Sequence, residues 1–94
     1  MKINVHLKGR FKEALKLPDP YALEIQDDAN VRGLLDRLCQ DTGCPEDTFF
    51  NKDLRLKPNV AVTKNGRFII HLKWLDTLLE TGDTVTIFTL HCGG

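Results

Sequence analysis

The chain has 94 residues, of which 41% are hydrophobic and 28% are charged, and its 13 Lys and Arg residues are balanced by 13 Asp and Glu residues. A chain of this length forms one domain that can bury a core without disulfides or a structural metal. A nucleic-acid-binding protein normally carries an excess of basic charge, so the balanced charge argues against that class. Because no apolar stretch approaches the ~20 residues of a membrane span and no signal peptide follows Met1, we expect a cytoplasmic protein that does not bind membranes.

Two strands are predicted near the start of the chain. Residues 2–8 and residues 21–26 alternate between apolar and polar side chains, which is typical of strands with one buried face. Residues 9–20 then form a long hairpin connection, whose apolar side chains can cover the sheet edge. Pro18-Asp19-Pro20 ends any helix in that connection.

The clearest helix comes next. Asn30 can cap its beginning, Gly43 can end it in a left-handed conformation, and apolar residues recur with helical spacing between them. These apolar residues are Val31, Leu34, Leu35 and Leu38. Burial of each side chain contributes roughly 1.5–3 kcal/mol, so we expect this helix to pack on the sheet as the central element of the core.

The second half of the chain predicts three more strands. Residues 44–58 indicate a packed loop that can include a short helical turn, and residues 59–64 form a strand. Asn65-Gly66 is the strongest two-residue hairpin signal, so residues 67–72 are predicted to return antiparallel. Thr81-Gly82-Asp83 then turns into the last strand.

The element order is strand, strand, helix, strand, strand, strand. This order predicts an α+β protein with a β-grasp, or ubiquitin-like, fold. We expect a mixed sheet of about five strands with one main helix packed on one face and the last strand beside the first. Residues 1–90 form the predicted domain, and residues 91–94 form a flexible C-terminal tail.

The sequence closes on Gly93-Gly94, separated from the last predicted strand by His91 and Cys92. Two glycines present a main-chain carboxylate on a segment without side chains, which can thread a channel too narrow for any residue with a Cβ. The pattern predicts that the carboxylate of Gly94 is the reactive group. A frayed terminus without function is the alternative, because chain ends are commonly disordered.

Five segments together resemble the ThiS/MoaD family of ubiquitin-like sulfur carrier proteins. The resemblance spans most of the chain, although no segment is specific alone. In place of the Pro-Pro or Pro-Val and small residue that family members often have before the glycines, this chain has Thr89-Leu90-His91-Cys92. The five segments are Asn30-Val31-x-x-Leu34-Leu35, Val60-Ala61-Val62-Thr63-Lys64-Asn65-Gly66, Leu78-Leu79, Gly82-Asp83-Thr84-Val85-Thr86-Ile87-Phe88 and Gly93-Gly94.

The resemblance implies a particular chemistry at Gly94. An E1-like adenylating enzyme uses ATP to activate the carboxylate, and sulfur from a persulfide-bearing donor protein then displaces AMP. The resulting thiocarboxylate donates sulfur to a downstream synthase in cofactor, amino-acid or tRNA biosynthesis. Activation is needed because a carboxylate is a poor electrophile until its oxygen becomes a good leaving group. On this interpretation the chain is a carrier rather than an enzyme, and it binds no cofactor or metal itself.

Three other functions remain open at this stage. A protein modifier forms isopeptide bonds to target lysines through the same activated carboxylate of Gly94. The small subunit of a molybdopterin-synthase-like complex inserts the same tail permanently into a larger partner. A β-grasp binding module with an accidental ending is the simplest alternative.

The last strand has two faces. We expect Val85 and Ile87 to face the helix, so Thr86, Phe88 and Leu90 lie on the opposite face. Phe88 and Leu90 either form a partner-docking patch beside the tail or are covered by residues 11–17 or 49–56. The residues alone leave both alternatives open.

The tail residues Cys92 and His91 have two interpretations. Cys92 either occupies an exposed position that tolerates a small side chain, or its thiol captures the activated acyl group or exchanges sulfur with a partner. In the second case His91 can promote formation of the thiolate. We expect His91, Cys92 and Gly93 to thread the active site of a partner together with Gly94.

The remaining chemistry-bearing side chains have structural interpretations. The count of three cysteines and the absence of an export signal favour free thiols over a disulfide framework or a zinc site. Cys39 is predicted to be a half-buried small hydrophobe beside the helix face. His6 and His71 are predicted to be surface groups on strands, and Trp74 to pack in the core or at its edge.

Overall fold

The strands form one mixed sheet, and the computed structural model describes residues 1–90 of the chain. The strand order is β2-β1-β5-β3-β4, with β5 parallel to β1 and antiparallel to β3. The predicted β-grasp fold is confirmed, including the last strand beside the first. The predicted tail over residues 91–94 lies outside the described residues. The strands are β1 Lys2–Leu7, β2 Tyr21–Glu24, β3 Val60–Lys64, β4 Arg67–Phe68 and β5 Thr84–Thr89.

The main helix begins and ends where the sequence predicts. It spans Val31–Thr42 and is called α2. The Asn30 side chain accepts a hydrogen bond of 2.9 Å from the backbone N–H of Gly33, which satisfies one free donor of the first turn. Gly43 adopts a left-handed conformation with φ of 73°, and its N–H donates to the carbonyl of Cys39 at 2.8 Å.

The connection between β1 and β2 contains a short helix, whereas the sequence analysis predicted a hairpin connection without a helix of its own. This helix, α1, spans Arg10–Leu15, and both Phe11 and Leu15 are buried in the core. Their spacing of four residues places both side chains on one face of the helix, so α1 closes the core rather than only crossing the sheet edge. The phenyl rings of Phe11 and Phe49 lie 5.3 Å apart.

The core lies between α2 and the inner face of the sheet. The inner faces of β1 and β5 supply side chains with no exposed area, and the apolar face of α2 packs against them as predicted. Residues 44–58 form a packed loop with a 3-10 helix at Glu46–Thr48, which confirms the predicted helical turn. The side chains with no exposed area include Ile3, Val5, Val31, Leu34, Leu35, Leu38, Phe49, Val85 and Ile87.

The prediction of a strand over residues 67–72 is wrong beyond Phe68, where β4 ends. The Asn65-Gly66 turn forms, with φ of 52° and 84°, but the chain then enters a 3-10 helix at Ile69–His71. In the 3-10 turn Ile69 is buried in the core and Ile70 is exposed. His71 therefore lies on a 3-10 helix and not on a strand.

Trp74 begins a further 3-10 helix, Trp74–Asp76, and of its two predicted positions, in the core or at its edge, the structure excludes the core. The side chain is 39% exposed, whereas the next residue, Leu75, is buried. Leu79 is buried and Leu78 is exposed. The apolar residues between β4 and β5 are therefore divided between the core and the surface.

Asp83 connects the turn that follows β3 to the turn that precedes β5. Its carboxylate accepts hydrogen bonds from the Asn65 side-chain amide at 2.9 Å and from the backbone N–H of Glu80 at 2.8 Å. The Lys64 ammonium lies 3.5 Å from the same carboxylate. Asn65 completes the link by accepting a hydrogen bond of 2.9 Å from the backbone N–H of Thr84. The Asn-Gly turn and the Gly-Asp turn are therefore one connected structure.

The pKa of Asp83 shows the net effect of these contacts. Burial by itself raises the pKa of the carboxyl, but the hydrogen bonds from Asn65 and Glu80 and the nearby Lys64 ammonium together lower it below the ordinary value. A lowered pKa means that the folded state favours the ionised carboxylate. The resulting stabilisation is present above the unfolded pKa of about 3.9 and is lost as the pH falls through the folded pKa.

Replacing Asp83 with Asn is expected to lower the free energy of unfolding by about 2–3 kcal/mol at pH 7, because the buried charged acceptor is lost. The difference from the native chain is expected to shrink as the pH falls below about 4. Urea unfolding at a series of pH values measures both effects. Asp28→Asn at an exposed position is the matched control. An unchanged stability of Asp83→Asn at pH 7 contradicts the proposed role of the network.

Candidate functional site

The C-terminal end of β5 is the point at which the chain leaves the domain for residues 91–94. Val60 of β3 pairs with Thr89 at this end, and the backbone N–H of Leu90 donates to the carbonyl of Asn59 at 2.8 Å. The main chain is therefore held by hydrogen bonds up to Leu90. The predicted reactive residues His91, Cys92, Gly93 and Gly94 lie outside the described residues, so their assignment stays a prediction.

The two faces of β5 are divided as the sequence predicts. Val85 and Ile87 have no exposed area and face the core below α2. On the other face Thr86 and Phe88 are half-buried, and Leu90 just beyond the strand is 41% exposed. The assignment of these three residues to partner binding stays a prediction.

Phe68 on β4 is the aromatic neighbour that partly covers Phe88. The two rings meet edge to face with their centroids 5.9 Å apart. The segments predicted as alternative covers contribute Phe11, Phe49 and Leu56 to the core cluster that contains Val85 and Ile87. Phe68 is itself 41% exposed, so the pair of rings remains accessible from the solvent.

An apolar groove, which we call the Trp74 groove, borders Leu90. It has a volume of about 160 Å³. The sequence did not reveal it, because Phe68 and Ile70 were assigned to one long strand and Trp74 to the core or its edge. Runs of apolar residues near a predicted hairpin were the only available signal. The lining of the Trp74 groove includes Leu56, Pro58, Phe68, Ile70, Trp74 and Leu90.

Thr89 carries a polar atom at the base of the tail. Its Oγ1 is buried and has no hydrogen-bond partner among residues 1–90. Gly9, which precedes α1 with φ of 61°, lies against it: a Cβ built on Gly9 would be 3.7 Å from this Oγ1. A buried hydroxyl without a partner is destabilising relative to a methyl group of the same shape.

The Thr89→Val variant is expected to raise the free energy of unfolding by about 1 kcal/mol, because the substitution keeps the shape and removes the buried hydroxyl. Thermal and urea unfolding provide the measurement. Thr86→Val on the opposite face is the control and is expected to change stability by less than about 0.5 kcal/mol. If Thr89→Val proves clearly less stable than the native chain, the hydroxyl has a stabilising partner.

Cys39 and Cys44 are free thiols at the C-terminal end of α2, and both are half-buried. Burial, reinforced by the neighbouring Cys44, raises the pKa of the Cys39 thiol to about 12. Cys39 is therefore protonated at neutral pH and is a weak nucleophile. This agrees with the predicted structural role of Cys39 and argues against its use in sulfur transfer.

Alkylation by iodoacetamide measures the reactivity of Cys39 directly. The Cys44→Ser, Cys92→Ser double variant removes the contribution of Cys44 but keeps burial, the largest cause of the raised pKa of Cys39. Its remaining thiol is therefore expected to react at pH 8 more than about tenfold more slowly than a free cysteine, because little thiolate is present. The rate is expected to keep rising above pH 9, where a free cysteine levels off. The same double variant unfolded in urea is the control. Reaction of the folded protein at the rate of the unfolded one contradicts the raised pKa.

Among the described residues, few other clusters of ionisable or metal-binding side chains occur. His6 lies beside Asp19, with Nδ1 and Oδ1 2.7 Å apart, on the outer part of the molecule. Within residues 1–90, no set of three His, Cys, Asp or Glu side chains is arranged to hold a metal ion. None of the helices in this part of the chain is long and apolar enough to cross a membrane.

The fold defines the class of protein: a ubiquitin-like β-grasp domain whose last strand, at the centre of the sheet, leads into a Gly-Gly sequence. The ThiS family model matches residues 5–94, and the chain therefore belongs to the ThiS family. This match includes the four residues beyond the described part of the structure. It confirms the resemblance that the sequence motifs indicated.

Individual relatives agree with this assignment. A stretch of 43 residues, 46% of this chain, is 44% identical to small archaeal modifier protein 3 of Haloferax volcanii. The match spans about half (47%) of the length of that protein. The solution structure of the Haloferax volcanii HVO 2177 protein is 30% identical with a TM-score of 0.78, covering 100% of this chain and 87% of that one. The crystal structure of SAMP1 from Haloferax volcanii matches with a TM-score of 0.82 at 22% identity over 100% of both chains, which shows the shared fold.

The family match and these relatives together place the chain among the ubiquitin-like proteins of the ThiS family.

Proposed function

We propose that this protein is a sulfur carrier whose reactive group is the carboxylate of Gly94. In this proposal an E1-like enzyme adenylates the carboxylate with ATP, a persulfide-bearing protein supplies sulfur, and the thiocarboxylate donates it to a downstream synthase. The carrier is a cosubstrate of these enzymes rather than an enzyme, and it binds no cofactor itself. The observation that carries the proposal is the ThiS family match, which extends through Gly93-Gly94 beyond a firmly held strand.

The proposed steps balance as follows. A carboxylate oxygen of Gly94 attacks the α-phosphate of ATP, which releases pyrophosphate and leaves an acyl adenylate. The terminal sulfur of the donor persulfide attacks the acyl carbon and displaces AMP, which forms an acyl disulfide. A thiol then attacks the donor sulfur of that disulfide, supplies the two electrons, and releases the Gly94 thiocarboxylate and a new disulfide.

The structure supports a division of labour between the domain and the tail. Backbone hydrogen bonds hold the chain up to Leu90, whereas Gly93-Gly94 has no side chains that would obstruct a narrow channel. We propose that Thr86, Phe88 and Leu90 contact the activating enzyme while His91, Cys92 and Gly93 thread its active site. Binding energy from the domain face can then position the carboxylate of Gly94 in that active site.

Intact-mass spectrometry tests this proposal. After incubation with ATP, a competent E1-like enzyme and a persulfide donor, the chain is expected to gain the mass of one sulfur in place of one oxygen. Deletion of Gly94 is expected to lower the yield by more than about tenfold, and so is Gly93→Ala, because its added Cβ obstructs a channel fitted to glycine. Asp28→Asn, an exposed change in the domain, is the matched control. No mass change with an enzyme that activates another carrier in parallel would sink the proposal.

The same experiment addresses Cys92. If its thiol takes part in sulfur exchange, Cys92→Ser is expected to reduce the yield of thiocarboxylate, and alkylation of the Cys92 thiol before activation is expected to reduce it as well. If Cys92 only occupies a position that tolerates a small side chain, Cys92→Ser leaves the yield unchanged.

A protein modifier is the second candidate function. The observation that favours it is the 44% identity over 43 residues to a protein named as a small archaeal modifier. In this case the acyl adenylate reacts finally with a lysine amine and releases AMP. The sign of this activity is a set of high-mass conjugates that contain Gly94 in an isopeptide bond. Stable co-purification with a large subunit instead supports the small-subunit function in a molybdopterin-synthase-like complex.

A further inference from the structure

The exposed large apolar side chains of the domain are concentrated in one place. Four of the six that are described line the Trp74 groove, and Ile70 is the most exposed at 65%. A contiguous exposed apolar surface of this kind is typical of an interaction site. The six are Leu54, Phe68, Ile70, Trp74, Leu78 and Leu90.

A second cleft, which we call the basic pocket, adjoins the Trp74 groove. It shares Leu56, Pro58 and Trp74 with the groove and adds Arg32 and Arg55. The Arg32 side chain is held in place because its Nη1 donates to the carbonyl of Leu54 at 3.0 Å. Its guanidinium also lies over the Phe50 ring, 5.6 Å from the centroid. The groove and the basic pocket therefore form one continuous surface, and Trp74 lines both of them.

The charge of this surface differs from that of the whole chain. The chain carries equal numbers of acidic and basic residues, but the two clefts are lined by Arg32, Arg55 and Lys57 and by no carboxylate among the described residues. Within residues 1–90 none of these three cations forms a salt bridge. Their charges remain available for an acidic partner.

Trp74 itself is held in an unfavourable backbone conformation. Its φ is 56°, in the left-handed region that bulky residues rarely adopt. The buried side chain of Thr77 fixes this geometry: its Oγ1 donates to the Trp74 carbonyl at 2.7 Å and accepts from the Lys73 N–H at 3.0 Å. Strain of this kind persists only where the surroundings enforce it, and it is common at ligand-binding positions.

We propose that the Trp74 groove and the basic pocket together bind an extended acidic segment of a partner protein that carries a large apolar side chain. The groove volume of about 160 Å³ is close to the ~150 Å³ of a cavity that holds benzene, so it accepts one aromatic or aliphatic side chain. Carboxylates flanking that side chain would pair with Arg32 and Arg55 in the basic pocket.

The proposed site is separate from the chemistry at Gly94. Its lining residues belong to the described domain, and apart from Leu90, which we also propose to contact the activating enzyme, none of them takes part in the proposed steps. Because Leu90 lines the groove and immediately precedes residues 91–94, the bound segment would hold the partner beside the tail. The site thus predicts a class of binding partner whether the chain acts as a carrier or as a modifier.

Titration of the isotope-labelled full chain with a blocked peptide of sequence EELFEE, followed by NMR, tests this inference. At millimolar peptide, shifts are expected at the Trp74 indole and at the backbone amides of Arg55, Ile70 and Leu90. Added salt is expected to weaken binding, because part of the attraction is between exposed charges. The control peptides KKLFKK and EESSEE are expected to bind at least about tenfold more weakly, because each lacks one of the two complementary features.

Variants separate the two parts of the site. Arg55→Glu is expected to weaken binding of EELFEE by about tenfold by reversing a cation of the basic pocket, and Ile70→Ser to weaken it by about threefold to tenfold by removing an exposed wall of the groove. Both positions are exposed, so the fold is expected to persist. Arg67→Glu on β4, outside both clefts, is the matched control and is expected to leave the affinity unchanged.

Three results would overturn the inference. The first is the absence of shifts at these residues, and the second is equal binding of KKLFKK and EELFEE. The third is sedimentation showing that the chain forms a dimer through this surface, so that a second copy rather than an acidic segment occupies it.

Discussion

Asp83 in the turn before β5 is hydrogen-bonded to Asn65 in the turn after β3. This link sets where β5 begins between β1 and β3. The carboxylate accepts two hydrogen bonds at 2.8–2.9 Å, and Asn65 in turn accepts the N–H of the first residue of β5. Register matters here because side chains alternate along a strand. A slip of one residue would move Val85 and Ile87 out of the core and bring Thr86 and Phe88 into it. The position of the C-terminal end of β5 therefore depends on a network at its opposite end.

The central position of β5 has a functional consequence. A strand with hydrogen-bonded neighbours on both sides is a firm base for the residues that follow it, and here the main-chain hydrogen bonds continue to Leu90. The two glycines beyond contribute no side chains of their own. In the proposed function these two features are complementary, because the anchored domain binds the activating enzyme while a narrow channel accepts Gly93-Gly94.

The surface is specialised in a way that the composition conceals. The net charge is zero, yet the cations of Arg32, Arg55 and Lys57 lie around clefts that contain no described carboxylate. The apolar residues between β4 and β5 also differ in burial. Leu75 and Leu79 are buried in the core, whereas Ile70 and Trp74 are exposed. Cys39 differs from these residues, because burial raises the pKa of its thiol and leaves it a weak nucleophile.

Local signals in the sequence were sufficient to predict the β-grasp element order, both ends of α2, the Asn65-Gly66 turn and the buried face of β5. Each of these depends on residue spacing or on the backbone preference of one residue, which are properties of the chain itself. The short helix α1, the early end of β4 at Phe68 and the exposure of Trp74 were not predictable, because they depend on which apolar side chains the core has room to bury. The Asp83–Asn65 link and the two clefts that Trp74 lines bring together residues that are distant in sequence. Only the tertiary structure decided those contacts, since spacing along the chain carries no information about partners across the sheet.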